Sequence, residues 1–256
     1  MWAVLWSGLA AGGAALGFAS YVATPRLTPE LRGYDLAERF GCHGCHGPRG
    51  TGGVPNPKSR EQEIPAWDGG TAMMYVNDES EIREWILDGH PRRLAREHHS
   101  HADIGGERRR DLPIRMPAFR GVIDDGELAD LVEYYKAMAV WDAPPDAAHR
   151  GYTVAAQKGC FGCHGPGGMI GGRNPNSFKG YIPPWHGKDF AELVKNEEEL
   201  RRWIRKGSIP RLEGNPLARF FTRRQVIQMP VYDDVLTQAE EDDIVAYIHW
   251  LSRDGR

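Results

Sequence analysis

The sequence predicts an all-α fold in which an N-terminal transmembrane helix precedes two tandem copies of one helical domain. Three observations predict this fold. An uncharged run covers residues 2–23, the second half of the chain repeats the first, and apolar side chains recur at helical spacing in both copies. The predicted boundaries are residues 1–24 for the membrane anchor, 25–142 for domain 1, 143–149 for a linker and 150–256 for domain 2.

Residues 2–23 carry no charged side chain, and a helix of these 22 residues would be about 33 Å long. That length is enough to cross a hydrocarbon core of about 30 Å. A signal peptide is the alternative, although no Lys or Arg precedes the run and cleavage after Ala23 would put bulky Tyr21 where small residues are preferred. Cleavage after Ala19 stays open. We expect a single-pass anchor in a bacterial cytoplasmic membrane.

Small residues recur four apart in this run, at Gly8 and Gly12 and again at Gly13 and Gly17. Such spacing lets another membrane helix approach closely. The expected partners are therefore other membrane subunits of a complex. Because Gly is frequent in membrane helices generally, the spacing also fits a helix without a partner.

All four cysteines lie in two copies of the pattern Cys-x-x-Cys-His, at residues 42–46 and 160–164. This pattern is the attachment signature of c-type haem. The two thiols form thioethers with the porphyrin, and the adjacent histidine donates its imidazole to the iron. We therefore expect two covalently bound haem c groups. The predicted anchors are Cys42, Cys45, Cys160 and Cys163, and the predicted proximal iron ligands are His46 and His164.

Other cysteine chemistry fits the pattern less well. A zinc site would combine two Cys-x-x-Cys pairs from about 15–20 residues apart, whereas residues 46–159 separate these pairs. A thioredoxin-like motif needs a βαβ setting, which neither flank predicts. A disulfide framework does not explain why a histidine follows both pairs.

The duplication extends beyond the pentapeptides. A shift of 118 residues aligns residues 64–67 with 182–185, and a shift of 113 aligns Met116-Pro117 with Met229-Pro230. Two domains of this length fit the usual domain size. The 31 glycines and 18 prolines predict long loops, and the net charge of −3 gives no basic surface for nucleic acid. Haem attachment requires a compartment outside the reducing cytosol, so we expect the domains in the periplasm.

Each copy is predicted to contain helices at corresponding places. In the first copy a helix capped by Thr28 runs to about Phe40, a second begins near Asp78, and the last begins at Asp124. In the second copy the first helix spans about residues 148–157. The second and last helices of this copy are marked by Leu200, Trp203 and Ile204 and by a capping box at Thr237 and Glu240.

With the haem motif at the end of an N-terminal helix, a loop methionine 65 to 70 residues later and a final helix, each half resembles a class I cytochrome c domain. The resemblance covers residues 31–256. It implies that two tandem class I cytochrome c domains follow the transmembrane helix. It also implies that the terminal helices of each domain cross, with Gly33 against Tyr134 and Gly151 against Tyr247.

The sixth iron ligand distinguishes an electron carrier from a catalyst, because a free iron position permits chemistry on peroxide or oxygen. Met116 and Met229 are the predicted ligands, since each precedes a proline and lies a few residues before the last helix. The longer insert of domain 1 offers alternatives in His90, His98, His99 and His101. This insert is otherwise interpreted as a solvated loop or as a separate metal site.

Four further residues are expected near the haem groups. A ligating imidazole usually donates its other N–H to a carbonyl, and the resemblance assigns that carbonyl to Pro57 and Pro175. Trp67 and Trp185 are candidates to donate an indole hydrogen bond to a haem propionate, with loop packing as the alternative.

The sequence therefore predicts a dihaem cytochrome c that relays single electrons outside the cytoplasmic membrane and is not itself an enzyme. His/Met ligation raises the reduction potential of c-type haem. We expect it to be a subunit of a respiratory or photosynthetic complex, with redox proteins as donor and acceptor and no nucleic acid partner. The alternative is an enzyme of the dihaem peroxidase type. A haem-based gas sensor would need an output domain, which the sequence lacks.

Overall fold

The computed structural model describes residues 27–59, 61–67, 71–97, 112–139 and 144–253. The chain divides into two compact units between Ala143 and Pro144. Domain 1 begins at Thr28 and domain 2 at Pro144, and each has its own buried apolar core.

Domain 1 is helical, and its longer helices begin at capping residues. Its helices are α1 (Pro29–Arg39), α2 (His43–His46), α3 (Thr71–Tyr75), α4 (Glu79–Asp88), α5 (Arg92–Glu97) and α6 (Asp125–Ala139), with a 3₁₀ turn at Pro48–Gly50. Thr28 Oγ1 accepts from the N–H of Leu31, and Asp78 Oδ1 accepts from that of Glu81. These caps satisfy N–H groups that have no partner inside the helix. The predicted starts of α1 and α4 are confirmed.

Domain 2 repeats this order with additions. Its helices are α7 (Asp146–Gln157), α8 (Phe161–His164), α9 (Gly187–Leu193), α10 (Glu197–Lys206), α11 (Pro210–Glu213), α12 (Pro216–Arg224) and α13 (Gln238–Ser252), with a 3₁₀ turn at Pro166–Gly168. The capping box of Thr237 and Glu240 is present at the start of α13. An antiparallel hairpin of β1 (Gly172–Arg173) and β2 (Tyr181–Ile182) departs from the predicted all-α class. Helix α7 begins inside the predicted linker.

The terminal helices of domain 1, α1 and α6, pack against each other at Gly33. A Cβ atom on Gly33 would lie 2.0 Å from the carbonyl oxygen of Asp130 and 2.6 Å from the Cβ of Tyr134. Arg32 fixes the same crossing from the surface, because its Nε and Nη2 donate to the two oxygens of Asp130 at 2.7 and 2.6 Å. The predicted contact of Gly33 with Tyr134 is confirmed.

The terminal helices of domain 2, α7 and α13, cross in the same way. A Cβ atom on Gly151 would lie 1.9 Å from the carbonyl oxygen of Asp243 and 2.8 Å from the Cβ of Tyr247. Arg150 donates to both carboxylate oxygens of Asp243 at 3.0 and 2.8 Å. The predicted contact of Gly151 with Tyr247 is confirmed. The terminal helices of the two domains therefore cross through equivalent contacts.

The transmembrane part of the predicted fold class is corrected. Within the described ranges, none of the helices is both long enough and apolar enough to cross a membrane. The predicted anchor at residues 1–24 and its glycine pairs lie outside those ranges. The expected location as a single-pass membrane protein depended on that helix and is corrected by the same finding.

Candidate functional site

The attachment residues of domain 1 lie on one short helix. Gly41 lies between α1 and α2 and has a φ of +73°. This left-handed conformation turns the chain out of α1 and into α2. Hydrogen bonds from Cys42 N to Ala37 O at 2.9 Å and from His46 N to Cys42 O at 3.0 Å fix this turn. Cys42, Cys45 and His46 stand three and four residues apart, so their side chains share one helix face.

The ring of His46 is oriented by a backbone carbonyl. Its Nδ1 lies 2.8 Å from the carbonyl oxygen of Pro65. Because a carbonyl can only accept, Nδ1 carries the proton and Nε2 is free to bind a metal. Burial lowers the pKa of His46, which favours the neutral imidazole needed for coordination. The resemblance assigned this carbonyl to Pro57, which is exposed, so that assignment is wrong.

A cavity of about 1000 Å³ opens beside this histidine. Cys42, Cys45 and His46 line it together with Met116 and Trp67. The volume lies at the upper end of the range for ligand sites, and the remaining lining is mostly apolar. Two thiols, an imidazole and a thioether on one apolar cavity are a donor set that fits haem c. The residues present in domain 1 therefore fit the group that the sequence motif implies.

Domain 2 repeats the attachment turn. Cys160 N donates to Ala155 O at 2.9 Å, and His164 N donates to Cys160 O at 3.1 Å. Cys163 occupies the same helix face. Burial lowers the pKa of His164 to about 4, although the Pro183 carbonyl acts in the opposite direction. His164 is therefore neutral at pH 7, and its buried Nδ1 makes no hydrogen bond of good geometry within the described residues.

The second proline assignment is also wrong. The carbonyl oxygen of Pro175 accepts from the N–H of Val226 at 3.1 Å. The carbonyl that acts on His164 is that of Pro183, which aligns with Pro65 of domain 1. In domain 1 the hydrogen-bond partner of the histidine therefore lies in the Ile-Pro-x-Trp segment, and in domain 2 the aligned carbonyl of the same segment acts to raise the pKa of His164.

The two tryptophans of that segment pack against the histidines. The ring centroids of Trp67 and His46 are 4.8 Å apart, and those of Trp185 and His164 are 4.9 Å apart. The backbone N–H of each tryptophan donates to a glycine carbonyl of the preceding 3₁₀ turn at 2.8 Å, Gly50 for Trp67 and Gly168 for Trp185. The tryptophans therefore shield the imidazole rings. Their indole bond to a propionate stays a prediction.

Each predicted methionine ligand lies in a loop whose backbone packs against the glycine at the C-terminal end of a helix. Gly89 closes α4 with a φ of +71°, and a Cβ atom there would lie 2.5 Å from the carbonyl oxygen of Met116. Gly207 closes α10 with a φ of +67° and stands at the same 2.5 Å from the carbonyl of Met229. Both methionines are half-buried. Their ligation of iron stays a prediction. The structure shows that the backbone of each methionine makes the same close contact with a helix-ending glycine.

Side chains missed by the sequence reasoning also surround the sites. Asn56 and Asn174 are buried with 3% exposure and bond to the backbone two residues before each methionine. His43, which lies between the two cysteines of the first haem motif, is bonded through Nδ1 to Glu38 at 2.5 Å and through Nε2 to the Tyr134 hydroxyl at 3.0 Å. The 118-residue repeat of Asn56 was the available signal for the asparagines.

The histidine alternatives for domain 1 divide into two groups. His90 follows α4, and its Nδ1 lies 3.1 Å from the carbonyl oxygen of Asp88. His98, His99 and His101 lie outside the described residues.

Burial raises the pKa of the Cys42 and Cys160 thiols. Neither thiol is in a disulfide. Each is therefore a neutral thiol before attachment, which does not favour binding a metal ion directly as thiolate.

Comparison with known proteins agrees with this chemistry in the second half of the chain. No curated protein and no solved structure matches the chain significantly. The family model for cytochrome c matches residues 148–252, which span α7 to α13 and include His164 and Met229. A cytochrome c domain implies covalently bound haem c and transfer of electrons. The match therefore supports a cytochrome c domain at residues 148–252, which is a haem-binding domain of electron transfer in this part of the chain.

Proposed function

We propose that the chain carries two haem c groups, one in each domain, and relays single electrons between redox proteins. Cys42 and Cys45 would anchor the first haem and Cys160 and Cys163 the second. His46 and Met116 would be the axial ligands in domain 1, and His164 and Met229 those in domain 2.

One observation carries the proposal for domain 1. Its attachment turn, its His-facing tryptophan and its methionine loop repeat the contacts of the matched domain residue by residue. Trp67 lies at 4.8 Å from His46 where Trp185 lies at 4.9 Å from His164. The cavity of about 1000 Å³ then contains the donors that a haem c requires.

The residues of each site favour electron transfer over catalysis on a small molecule. When bound, haem c supplies an iron that gains and loses one electron. The Pro65 carbonyl fixes the His46 ring, and Trp67 covers it, so this ligand is held in one orientation. A methionine on the other side would fill the remaining position. With both axial positions filled, the site has no place for a peroxide substrate.

The expected partners are protein donors and acceptors of electrons. His/Met ligation raises the potential of c-type haem, which suits the high-potential end of a respiratory or photosynthetic chain. We propose that the protein is a carrier subunit at that end.

The haem content per chain tests the number of sites. A pyridine haemochrome assay on the full-length protein should give two haem c groups per chain. The variants Cys42→Ala/Cys45→Ala and Cys160→Ala/Cys163→Ala should each retain one. A single haem in the wild-type protein, lost only from the second variant, would contradict the proposal for domain 1.

The spin state tests the alternative of a peroxidase. Two low-spin ferric signals and no turnover of hydrogen peroxide are expected for a carrier. A high-spin haem that reacts rapidly with peroxide would support the dihaem peroxidase type instead.

A further inference from the structure

A buried asparagine bridges two loops in domain 1. Asn56 Nδ2 donates to the carbonyl oxygen of Ile114 at 3.0 Å, and its Oδ1 accepts from the N–H of the same residue at 3.1 Å. The side-chain amide of Asn56 therefore satisfies both the N–H and the carbonyl of Ile114. Ile114 lies two residues before Met116, and both line the cavity with Asn56.

Domain 2 contains the same bridge. Asn174 Nδ2 donates to the Ile227 carbonyl at 3.0 Å, and its Oδ1 accepts from the Ile227 N–H at 2.8 Å. Ile227 lies two residues before Met229. The bridge is therefore preserved although the intervening segment differs in length between the two copies, by five residues.

The asparagine backbone is itself fixed. The Asn56 N–H donates to Gln62 O at 2.8 Å, and its carbonyl accepts from Ser59 N at 3.1 Å. Two residues earlier, Val54 N donates to Cys45 O at 3.0 Å. A short path of hydrogen bonds therefore leads from the haem attachment turn through the asparagine to the methionine loop.

We infer that Asn56 and Asn174 are positioning residues that hold the methionine loop against the haem cavity. The inference rests on the proposed ligation by Met116 and Met229. A buried amide with both hydrogen-bonding edges satisfied is costly to displace, since release would leave four polar groups without partners. The loop is otherwise largely irregular backbone, so this bridge limits how far the sulfur can move from its ligand position.

The test uses the full-length holoprotein and follows one domain at a time. Asn174→Leu has a similar shape but cannot bond to Ile227. Asn174→Asp keeps the acceptor for the Ile227 N–H and loses the donor. The readouts are the sulfur-to-iron charge-transfer band of the ferric protein and the rate at which cyanide displaces the sulfur ligand.

Loss of two hydrogen bonds should increase the rate of cyanide binding at the second haem about tenfold in Asn174→Leu. Asn174→Asp should lie between this variant and the wild type. The first haem in the same molecule should keep its wild-type rate, and Asn56→Leu should give the mirror result.

Ser177→Ala is the matched control. Its hydroxyl is buried on the same turn and has no hydrogen-bond partner within the described residues. Wild-type band and rate are expected for this control.

The outcomes separate the two hypotheses. If the wild-type protein shows the sulfur band but Asn174→Leu, Asn174→Asp and Asn56→Leu all match Ser177→Ala, the positioning role is wrong and the proposed ligation stands. If the wild-type protein lacks the band in both haems, the proposed ligation fails, and the positioning role fails with it.

Discussion

Arg211 and Glu199 form a two-point ion pair in domain 2, with Nε donating to Oε1 at 2.8 Å and Nη2 donating to Oε2 at 2.9 Å. The carboxylate also accepts from the N–H of Lys195 at 2.9 Å. Domain 1 repeats the pair at the aligned positions, where Arg93 donates to both oxygens of Glu81 at 2.7 and 3.3 Å. The pair connects the start of α10 to α11, and its counterpart connects α4 to α5.

This pair makes the stability of domain 2 depend on pH. The Arg211 guanidinium lowers the pKa of Glu199 to about 2. A carboxyl group with a lowered pKa in the folded protein stabilises it above the unfolded pKa of about 4.3, and the stabilisation is lost as the pH falls towards 2. Arg211→Gln should therefore reduce the free energy of unfolding at pH 7, and its difference from the wild type should shrink below pH 4.

Urea unfolding of domain 2 between pH 7 and pH 2.5 measures this difference. Arg202→Gln is the control, because Arg202 is exposed on α10 and has the same chemistry. A constant difference between Arg211→Gln and the wild type at all pH values would contradict the assignment to Glu199.

A buried carboxylate on the last helix distinguishes domain 2 from domain 1. The side chain of Glu241 is 1% exposed and accepts a short hydrogen bond from Arg205. The aligned residues of domain 1 are Leu87 and Leu128. Removing one partner of a buried pair leaves an uncompensated charge. Arg205→Leu alone should therefore destabilise domain 2, and Arg201, at 3.8 Å from the same carboxylate oxygen, should offset part of the loss.

The double variant Arg205→Leu/Glu241→Leu imitates domain 1 and should be close to wild-type stability or above it, because it also removes the desolvation cost of the carboxylate. Both variants are compared by urea unfolding. If the double variant is less stable than Arg205→Leu, the pair contributes more than its desolvation cost.

The helix crossings should not tolerate a methyl group. Gly33→Ala and Gly151→Ala each place a Cβ atom within 2.0 Å of a carbonyl oxygen of the partner helix. The helices must then move apart, at a cost of about 1–3 kcal/mol in the affected domain. Gly162→Ala in α8 is the control, because nothing lies within 4 Å of the added atom. Equal stability of Gly33→Ala and the control would contradict the close packing of α1 and α6.

His43 provides a partner for a buried hydroxyl. His43→Phe introduces the residue found at the aligned position 161, where Tyr247 donates instead to the Gly167 carbonyl at 2.7 Å. In domain 1 the variant leaves the Tyr134 hydroxyl without its histidine partner, which should cost about 1–3 kcal/mol. Adding Tyr134→Phe should recover part of this loss, as a double-mutant cycle of unfolding free energies would measure. Strict additivity would mean that the two groups do not interact.

The sequence predicted the parts of the fold that depend on local chemistry. Thr28 and Asp78 mark helix starts because their side chains cap N–H groups only a few residues away. The contact of Gly33 with Tyr134 followed from a known family and a repeated glycine. Helices α11 and α12 were missed, although Pro210 and Pro216 at their first positions were available signals.

The histidine partner could not be read from spacing alone. In domain 1 the loop after the haem motif folds back on itself, with Ile64 N donating to Val54 O at 2.9 Å. A Cβ atom on Gly53 would lie 1.7 Å from the Ile64 carbonyl. This close return brings Pro65 to His46 and leaves Pro57 exposed. The result depends on two segments meeting in space, which the order of residues does not specify.

Because each half of the chain buries its own pair of crossed helices, the described residues form two hydrophobic cores, one in each unit. Denaturation should then proceed in two transitions, and a single melting temperature would not describe it. Domain 2 holds Arg205 and Glu241 where domain 1 holds leucines, so the two midpoints should differ. Each copy therefore serves as an internal reference for the other, since a substitution in one core should displace one transition and leave its neighbour in place.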